Sequence, residues 1–294
     1  MKPAPFDYYA PATLDEALGL LAKFREGASV LAGGQTLVPL LNMRLARPEV
    51  VVDLNRIADL TGVRPDGAEI RIGAMTRHMT LELDPLVREK LPLMAEAARH
   101  IAHMQIRTRG TIGGSLATAA PAAEWPAVVA ALEARLVVHG AKGKTRTLSP
   151  EDFFAGPMMT TLGADEILVE IRVPVPEPGT GWAFVEFTRR HGDFALAGAA
   201  ALASLDGGGK VATARLALCG MAQPGQRLRE VEAALVGTEA SAADLDRIES
   251  QVRYDVDAPS DVQLSSESRR QVAGAIARRC LETALARAGG AAGA

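Results

Sequence analysis

Apolar residues at Leu14, Ala17, Leu18 and Leu21 recur at the spacing of one helix face, and Thr13-Leu-Asp-Glu16 ahead of them has the spacing of a capping box. The Thr13 hydroxyl accepts from an early helical N–H while Glu16 reaches back, so a helix is predicted to about Phe24. Ala28 to Ala32 then reads as a short buried strand that stops at Gly33-Gly34, and a second helix begins over Thr36 to Arg44. Val50 to Leu54 is a further strand, and Glu69 to Gly73 alternates polar with apolar as another. Leu93 to His103 is helical. Gln105 to Ala117 carries Gly110, Gly113 and Gly114 within five residues and is predicted as a loop. A helix follows over Glu124 to Ala134, with Pro126 tolerable in its first turn, and strands are predicted at 135–139, 145–148 and 166–173.

Pro174-Val-Pro-Glu-Pro-Gly-Thr-Gly is the best linker in the chain and places a boundary near residue 178. Beyond it, 182–188, 198–205 and 211–219 read as an antiparallel meander, the last two joined by Asp206-Gly-Gly-Gly-Lys210. Helices at 229–236, 241–253 and 265–287 close the pattern before a Gly/Ala-rich tail, 289–294, expected to be disordered. The whole reads as an α+β fold in parts 1–55, 56–177 and 178–288. No repeat of fixed period emerges.

A chain of 294 residues that is 48% apolar has material for more than one core. Its net charge of −3, with no basic cluster, lacks the footprint of a nucleic-acid binder. Cys219 and Cys280 are too few for a disulfide framework, a thiolate zinc site or an iron–sulfur cluster, so any redox metal belongs to another chain. The N-terminal stretch has no apolar signal core and no run approaches ~18 apolar residues, so the expectation is a soluble, cytoplasmic protein with no membrane span.

Several motifs carry less than they suggest. His139-Gly-Ala-Lys-Gly-Lys-Thr145 resembles half a phosphate loop, but Val138 stands where the first glycine is needed and the run leads into a strand. Asp206 to Lys210 is better read as a hairpin tip. No GxGxxG follows a strand, no GxSxG elbow exists, and His100 with His103 lacks the Cys or carboxylates to complete a metal set. No metal site and no catalytic acid, base or nucleophile is expected.

Two glycine loops remain, Ala32-Gly33-Gly34-Gln35-Thr36 running into Leu37, and Thr111-Ile112-Gly113-Gly114-Ser115. Without Cβ atoms, main-chain N–H groups can converge on an anion, so either loop suits a pyrophosphate. Taken singly, each is most simply an ordinary turn. Together, about 80 residues apart and with Glu124 available to accept from a ribose or ring, they suit a long dinucleotide lying between two subdomains.

The chain closely resembles the FAD-binding medium subunit of molybdenum hydroxylases, the group that includes carbon monoxide dehydrogenase and xanthine dehydrogenase. The likeness runs through FDYYAPATLDEAL at 6–18, AGGQTLVPLLNMRLARPEVVVDL at 32–54, IGAMT at 72–76, QIRTRGTIGGSLA at 105–117, DFF at 152–154, DEILVEIRVP at 165–174 and RRHGDFALAGAA at 189–200. It implies a two-part FAD-binding domain of the vanillyl-alcohol-oxidase type, followed by a C-terminal domain of antiparallel sheet and helices. It implies noncovalent FAD held by Ala32 to Leu37 and Thr111 to Ser115, an acid at Glu124 accepting from FAD, Ile101 lining the groove and Leu168 meeting the adenine portion. Phe194 lies beside the position where an aromatic covers the flavin ring. An iron–sulfur small subunit with [2Fe–2S] clusters and a large subunit with molybdopterin are the implied partners, in a dimer of heterotrimers that delivers electrons to an external acceptor. Thr118 and Ala120 depart from the His and Asp common in relatives, and Val185 and Glu186 stand where some carry Lys. Two other readings stay open on the residues, a free-standing NAD(P)H-dependent flavin reductase and a scaffold subunit with a weakened flavin site.

Overall fold

The computed structural model describes residues 2–291. The first part contains β1 (Asp7–Tyr9), α1 (Leu14–Phe24), β2 (Ala28–Leu31), α2 (Leu37–Asn42) and β3 (Val50–Asp53). Its three strands form a parallel sheet in the order β1-β3-β2. The capping box predicted for α1 is present: Thr13 accepts from the Glu16 N–H, and Glu16 accepts from the Thr13 N–H.

The second part runs through β4 (Val63–Asp66), β5 (Glu69–Gly73), α3 (His78–Leu83), α4 (Pro85–Lys90), α5 (Pro92–Ala98), α6 (Met104–Arg107), α7 (Ile112–Thr118) and α8 (Glu124–Ala131). It continues with β6 (Arg135–Gly140), β7 (Thr145–Leu148), α9 (Pro150–Phe153), β8 (Phe154–Gly156), β9 (Met159–Thr160) and β10 (Glu166–Pro174). An antiparallel sheet of order β4-β5-β10-β6-β7 results, with β10 central and buried along almost its whole length. The first part does not close its own core near residue 55: Met75, Val137, Ile167 and Val169 of the second pack among Leu18, Leu21, Val50 and Val52. Burying the parallel sheet requires apolar surface that a piece of that size lacks.

The third part holds β11 (Gly181–Phe187), β12 (Ala197–Leu205), β13 (Val211–Cys219), β14 (Gln226–Arg227), α10 (Arg229–Leu235), α11 (Ala242–Asp255) and α12 (Ser266–Ala291). Its antiparallel sheet is covered on both faces. Ala200, Leu202, Ala217 and Cys219 share a core with α5 and α8, whereas Ala199, Ala201, Ala203 and Leu216 face α12. Small residues let the helix approach: a Cβ added at Gly181 would stand 1.9 Å from the Ala284 carbonyl oxygen, and the Cys280 thiol donates to the carbonyls of Ala183 and Ala199.

Two expectations are corrected. Residues 105–117 are not a loop, because α6 and α7 occupy most of them and Gly113 and Gly114 lie inside α7. Glycine is tolerated there for packing: an added Cβ at Gly113 would meet the Ala74 carbonyl oxygen at 2.6 Å. Residues 289–291 are the helical end of α12 and not the start of a disordered tail, whereas 292–294 lie outside the described residues. No described helix is long and apolar enough to cross a membrane.

Candidate functional site

The two glycine loops meet in space. A Cβ at Gly33 would lie 2.4 Å from the Arg109 carbonyl oxygen and 2.7 Å from Gly110 Cα, and one at Gly114 would lie 3.3 Å from Ala32 Cβ and 4.0 Å from the Gly33 nitrogen. Only residues without side chains let the backbones come this close. The first loop is braced from behind. Asn55 Nδ2 donates to the Ala32 carbonyl at 2.9 Å, Arg77 donates to Asn55 Oδ1 at 2.6 Å and also to the Arg109 carbonyl, and Gln35 Nε2 donates to the Gly33 carbonyl at 2.9 Å. The Ala32, Gly33 and Arg109 carbonyls are thereby occupied. The N–H groups of Gly33, Gly34, Gln35 and Thr36 find no acceptor among the described residues. Four successive donors without protein partners, three of them on half-buried residues and the last on exposed Thr36, form a nest that an anion satisfies.

The second loop behaves differently from its expectation as a second amide cradle. Ile112 N–H donates to the Thr76 carbonyl, Gly113 N–H to Ala74, Gly114 N–H to the Thr111 hydroxyl at 3.1 Å and Ser115 N–H to the Thr111 carbonyl. The first two donors join α7 to the β5–α3 connection and the other two cap the helix on Thr111, leaving the loop a wall against which the first is seated. His78 completes the wall. Its N–H donates to the Gly110 carbonyl, and its Nδ1 accepts from Trp125 Nε1 at 2.9 Å, so burial and the nearby Arg77 and Arg107 hold it neutral, with its pKa down to about 3.

Segment 100–115 runs from this wall to a second polar region at the face of the third part. Glu124, the first residue of α8, is 7% exposed. Burial, with the neighbouring Glu186 adding to it, pushes its pKa up to about 8, so the carboxyl is mostly protonated at neutral pH. Ile101 and Leu168 are buried in the core beneath. Phe194 is 77% exposed in the 188–196 connection, which folds against His103 at Gly192, where a Cβ would meet the imidazole at 2.4 Å. The remaining expected motifs stay ordinary: 141–143 is the turn between β6 and β7, and the Asp206 carboxylate caps its own hairpin tip by accepting from Gly208 and Lys210. Sequence reading gave Asn55 and Arg77 no role, set His100 aside as half of an incomplete metal pair and noted Glu186 only as a departure from relatives, since no local pattern marks residues that act by closing on distant neighbours.

The arrangement suits one class first: a protein whose unpartnered backbone amides can hold a phosphate-bearing ligand. A model of the FAD binding domain in molybdopterin dehydrogenase matches residues 4–176, and one of the CO dehydrogenase flavoprotein C-terminal domain matches residues 182–284. The chain is 42% identical to caffeine dehydrogenase subunit beta of Pseudomonas sp. (strain CBB1), over 98% of this chain and 97% of that one. It is 38% identical to the carbon monoxide dehydrogenase medium chain of Hydrogenophaga pseudoflava, over 98% and 99%. A solved carbon monoxide dehydrogenase from Hydrogenophaga pseudoflava superposes with a TM-score of 0.95 at 39% identity, over 98% of this chain and 99% of that one. Quinoline 2-oxidoreductase from Pseudomonas putida 86 gives 0.93 at 34%, over 98% and 99%. The chain belongs to the FAD-binding medium subunits of the molybdenum hydroxylases. Relatives that are subunits and chains of larger dehydrogenases favour this role over the free-standing reductase and the scaffold.

Proposed function

We propose that the Gly33–Thr36 amides hold the FAD pyrophosphate, that Thr111 to Ser115 position the loop, and that Glu124 hydrogen-bonds to the cofactor as a donor when protonated. Ala32 and Leu37 frame the nest, Ile101 and Leu168 line the groove, and the exposed Phe194 is free to cover the ring. The single observation that carries this reading is the run of four unpartnered N–H groups braced by Asn55 and Arg77. When bound, FAD supplies a carrier that takes electrons singly or in pairs. The chain's own contribution is to bind, orient and shield it. The proposed partners are an iron–sulfur small subunit and a molybdenum large subunit in a dimer of heterotrimers, with delivery to an external acceptor in the cytoplasm.

Gly33→Val and Gly114→Val force apart two backbones that must touch for the nest to form. FAD affinity is expected to fall by about 2–4 kcal/mol, the scale of lost charge-assisted hydrogen bonds plus strain. Full FAD content in either variant, with native far-UV dichroism, reduces the loops to ordinary turns. Neither loop contains a His or Cys to form a flavin bond, so acid precipitation is expected to release the yellow chromophore into solution. A pellet that stays yellow contradicts noncovalent binding.

A further inference from the structure

Elsewhere in the fold, half-buried arginines sit on carboxylates: Arg71 on Glu170, Arg107 on Glu82, Arg146 on Glu166 and Arg287 of α12 on Glu96. Arg77, the residue that caps the start of α3, is half-buried too, but its guanidinium donates to neutral groups, the Arg109 carbonyl and, at 2.6 Å, Asn55 Oδ1. Those acceptors belong to different loops of the site. Asn55 in turn donates to the Ala32 carbonyl at 2.9 Å, where the first loop begins, and the Arg109 carbonyl oxygen is the atom that a Cβ at Gly33 would meet at 2.4 Å. The main chain makes a matching connection: Arg77 forms an isolated bridge with Thr111, Thr76 accepts from the Ile112 N–H, and His78 donates to the Gly110 carbonyl. One residue thus joins both loops, by its backbone to one and by its side chain to the two together.

Dipoles hold this ion where a carboxylate holds the others. Arginine stays protonated in a protein, and a half-buried cation braced by neutral oxygens keeps a field that an anion lowers further. Arg109 adds a second positive charge, near enough that it and burial together draw the Arg77 pKa below the usual arginine range. The opposing carboxylate is Asp53, which is engaged by the Tyr8 hydroxyl at 2.6 Å and the Asn55 N–H at 2.9 Å and reaches Arg77 by way of Asn55. Two guanidiniums against one carboxylate leave the back of the nest positive. We propose that Arg77 is a positioning residue with an electrostatic duty: its fork joins the two loops, and its charge, with that of Arg109, favours a doubly negative pyrophosphate on the Gly33–Thr36 amides. This rests on the FAD reading of the nest. Arg77 acts on the ligand through Asn55 and the Arg109 carbonyl and, at a distance, by Coulomb attraction. Lysine in its place keeps the charge and loses the fork, whereas glutamine loses the charge as well, so the two duties can be separated.

The test titrates FAD into the full chain, stripped of cofactor, and reads quenching of flavin fluorescence at about 0.01 M and about 1 M salt, where the Debye length is roughly 30 Å and roughly 3 Å. Arg77→Lys is expected to weaken FAD binding at both salt concentrations. Arg77→Gln is expected to bind about tenfold more weakly than Arg77→Lys at the low salt, the scale of a unit charge acting across a partly screened site, and to match it at the high salt. A brace without an electrostatic duty gives the two variants the same affinity at both concentrations, and that outcome overturns the proposal, as does wild-type affinity in either variant. Should a variant fail to fold, the wild type alone decides: its Kd is expected to rise about tenfold or more from the low salt to the high, and a Kd that does not move overturns the proposal. A wild-type chain that binds no FAD at either concentration fails the FAD reading itself, which is a separate result.

Discussion

Three side chains with shifted pKa values, Glu124, His100 and His78, shape the pH dependence of the FAD-free chain. Glutamate in an unfolded chain ionises near 4.5, but Glu124 in the fold holds its proton to about 8 because burial disfavours the carboxylate. Between those values the folded state binds a proton that the unfolded state has released, so stability falls as pH rises. His100, whose pKa the Glu186 carboxylate raises, acts in the same direction: its stabilisation is complete below 6.5 and is lost as pH climbs through its folded value. His78 acts oppositely and at lower pH, since a depressed pKa withdraws stability as pH falls below 6.5. The slope above pH 6.5 therefore isolates Glu124 and His100. Denaturant unfolding of the FAD-free chain is expected to show a loss of about 2 kcal/mol between pH 6.5 and 8, and a shallower slope in Glu124→Gln. Equal slopes would remove the physical basis for a protonated acid at this position.

Elements whose cause is local were readable from the sequence. The capping box at Thr13 and Glu16, the alternation of Glu69 to Gly73 and the apolar run of 211–219 each carry their own signal, and each forms where expected. Gly113 and Gly114 misled because glycine penalises a helix that tertiary contact nevertheless imposes: α7 needs them to sit against Ala74 and Ala32. Likewise the nest was foreshadowed by Gly33-Gly34, but its bracing by Asn55 and Arg77 was not, because both reach it only after the separate sheets that hold β3 and β5 have formed and packed together. His100 reads as a surface histidine until β11, more than 80 residues later, brings Glu186 against it. Substitutions at this level should separate the two kinds of glycine loop. Gly113→Ala is expected to destabilise by about 1–3 kcal/mol or more through overpacking against Ala74, in a thermal or denaturant melt of the FAD-free chain. Lys144→Ala, in the turn between β6 and β7, is expected to leave both melting and flavin content unchanged. Lost flavin in that variant would restore the phosphate-loop reading of 139–145.

At the scale of the molecule, the chain is an FAD-binding medium subunit whose two buried cysteines are too few to hold an iron–sulfur cluster, and the role proposed for it is that of an outlet for electrons. Removing FAD from the assembled complex is expected to abolish steady-state turnover, while substrate still bleaches the iron–sulfur absorption. Oxidation of an organic substrate by the isolated subunit at the rate of the complex would reassign the chemistry to this chain. The sheet of the third part is enclosed on one face by α5 and α8 and on the other by α12. Because α12 follows every other described element in the chain, that second face stays open during synthesis until α12 has been made. The sheets spanning residues 7–174 have all their strands by then, and domains generally fold as units from the N-terminal end. The groove for the nucleotide can thus take shape before its C-terminal cover is sealed, which makes α12 a late checkpoint: nascent chains cut short before it expose an alanine-lined sheet face that quality-control proteases and chaperones can read.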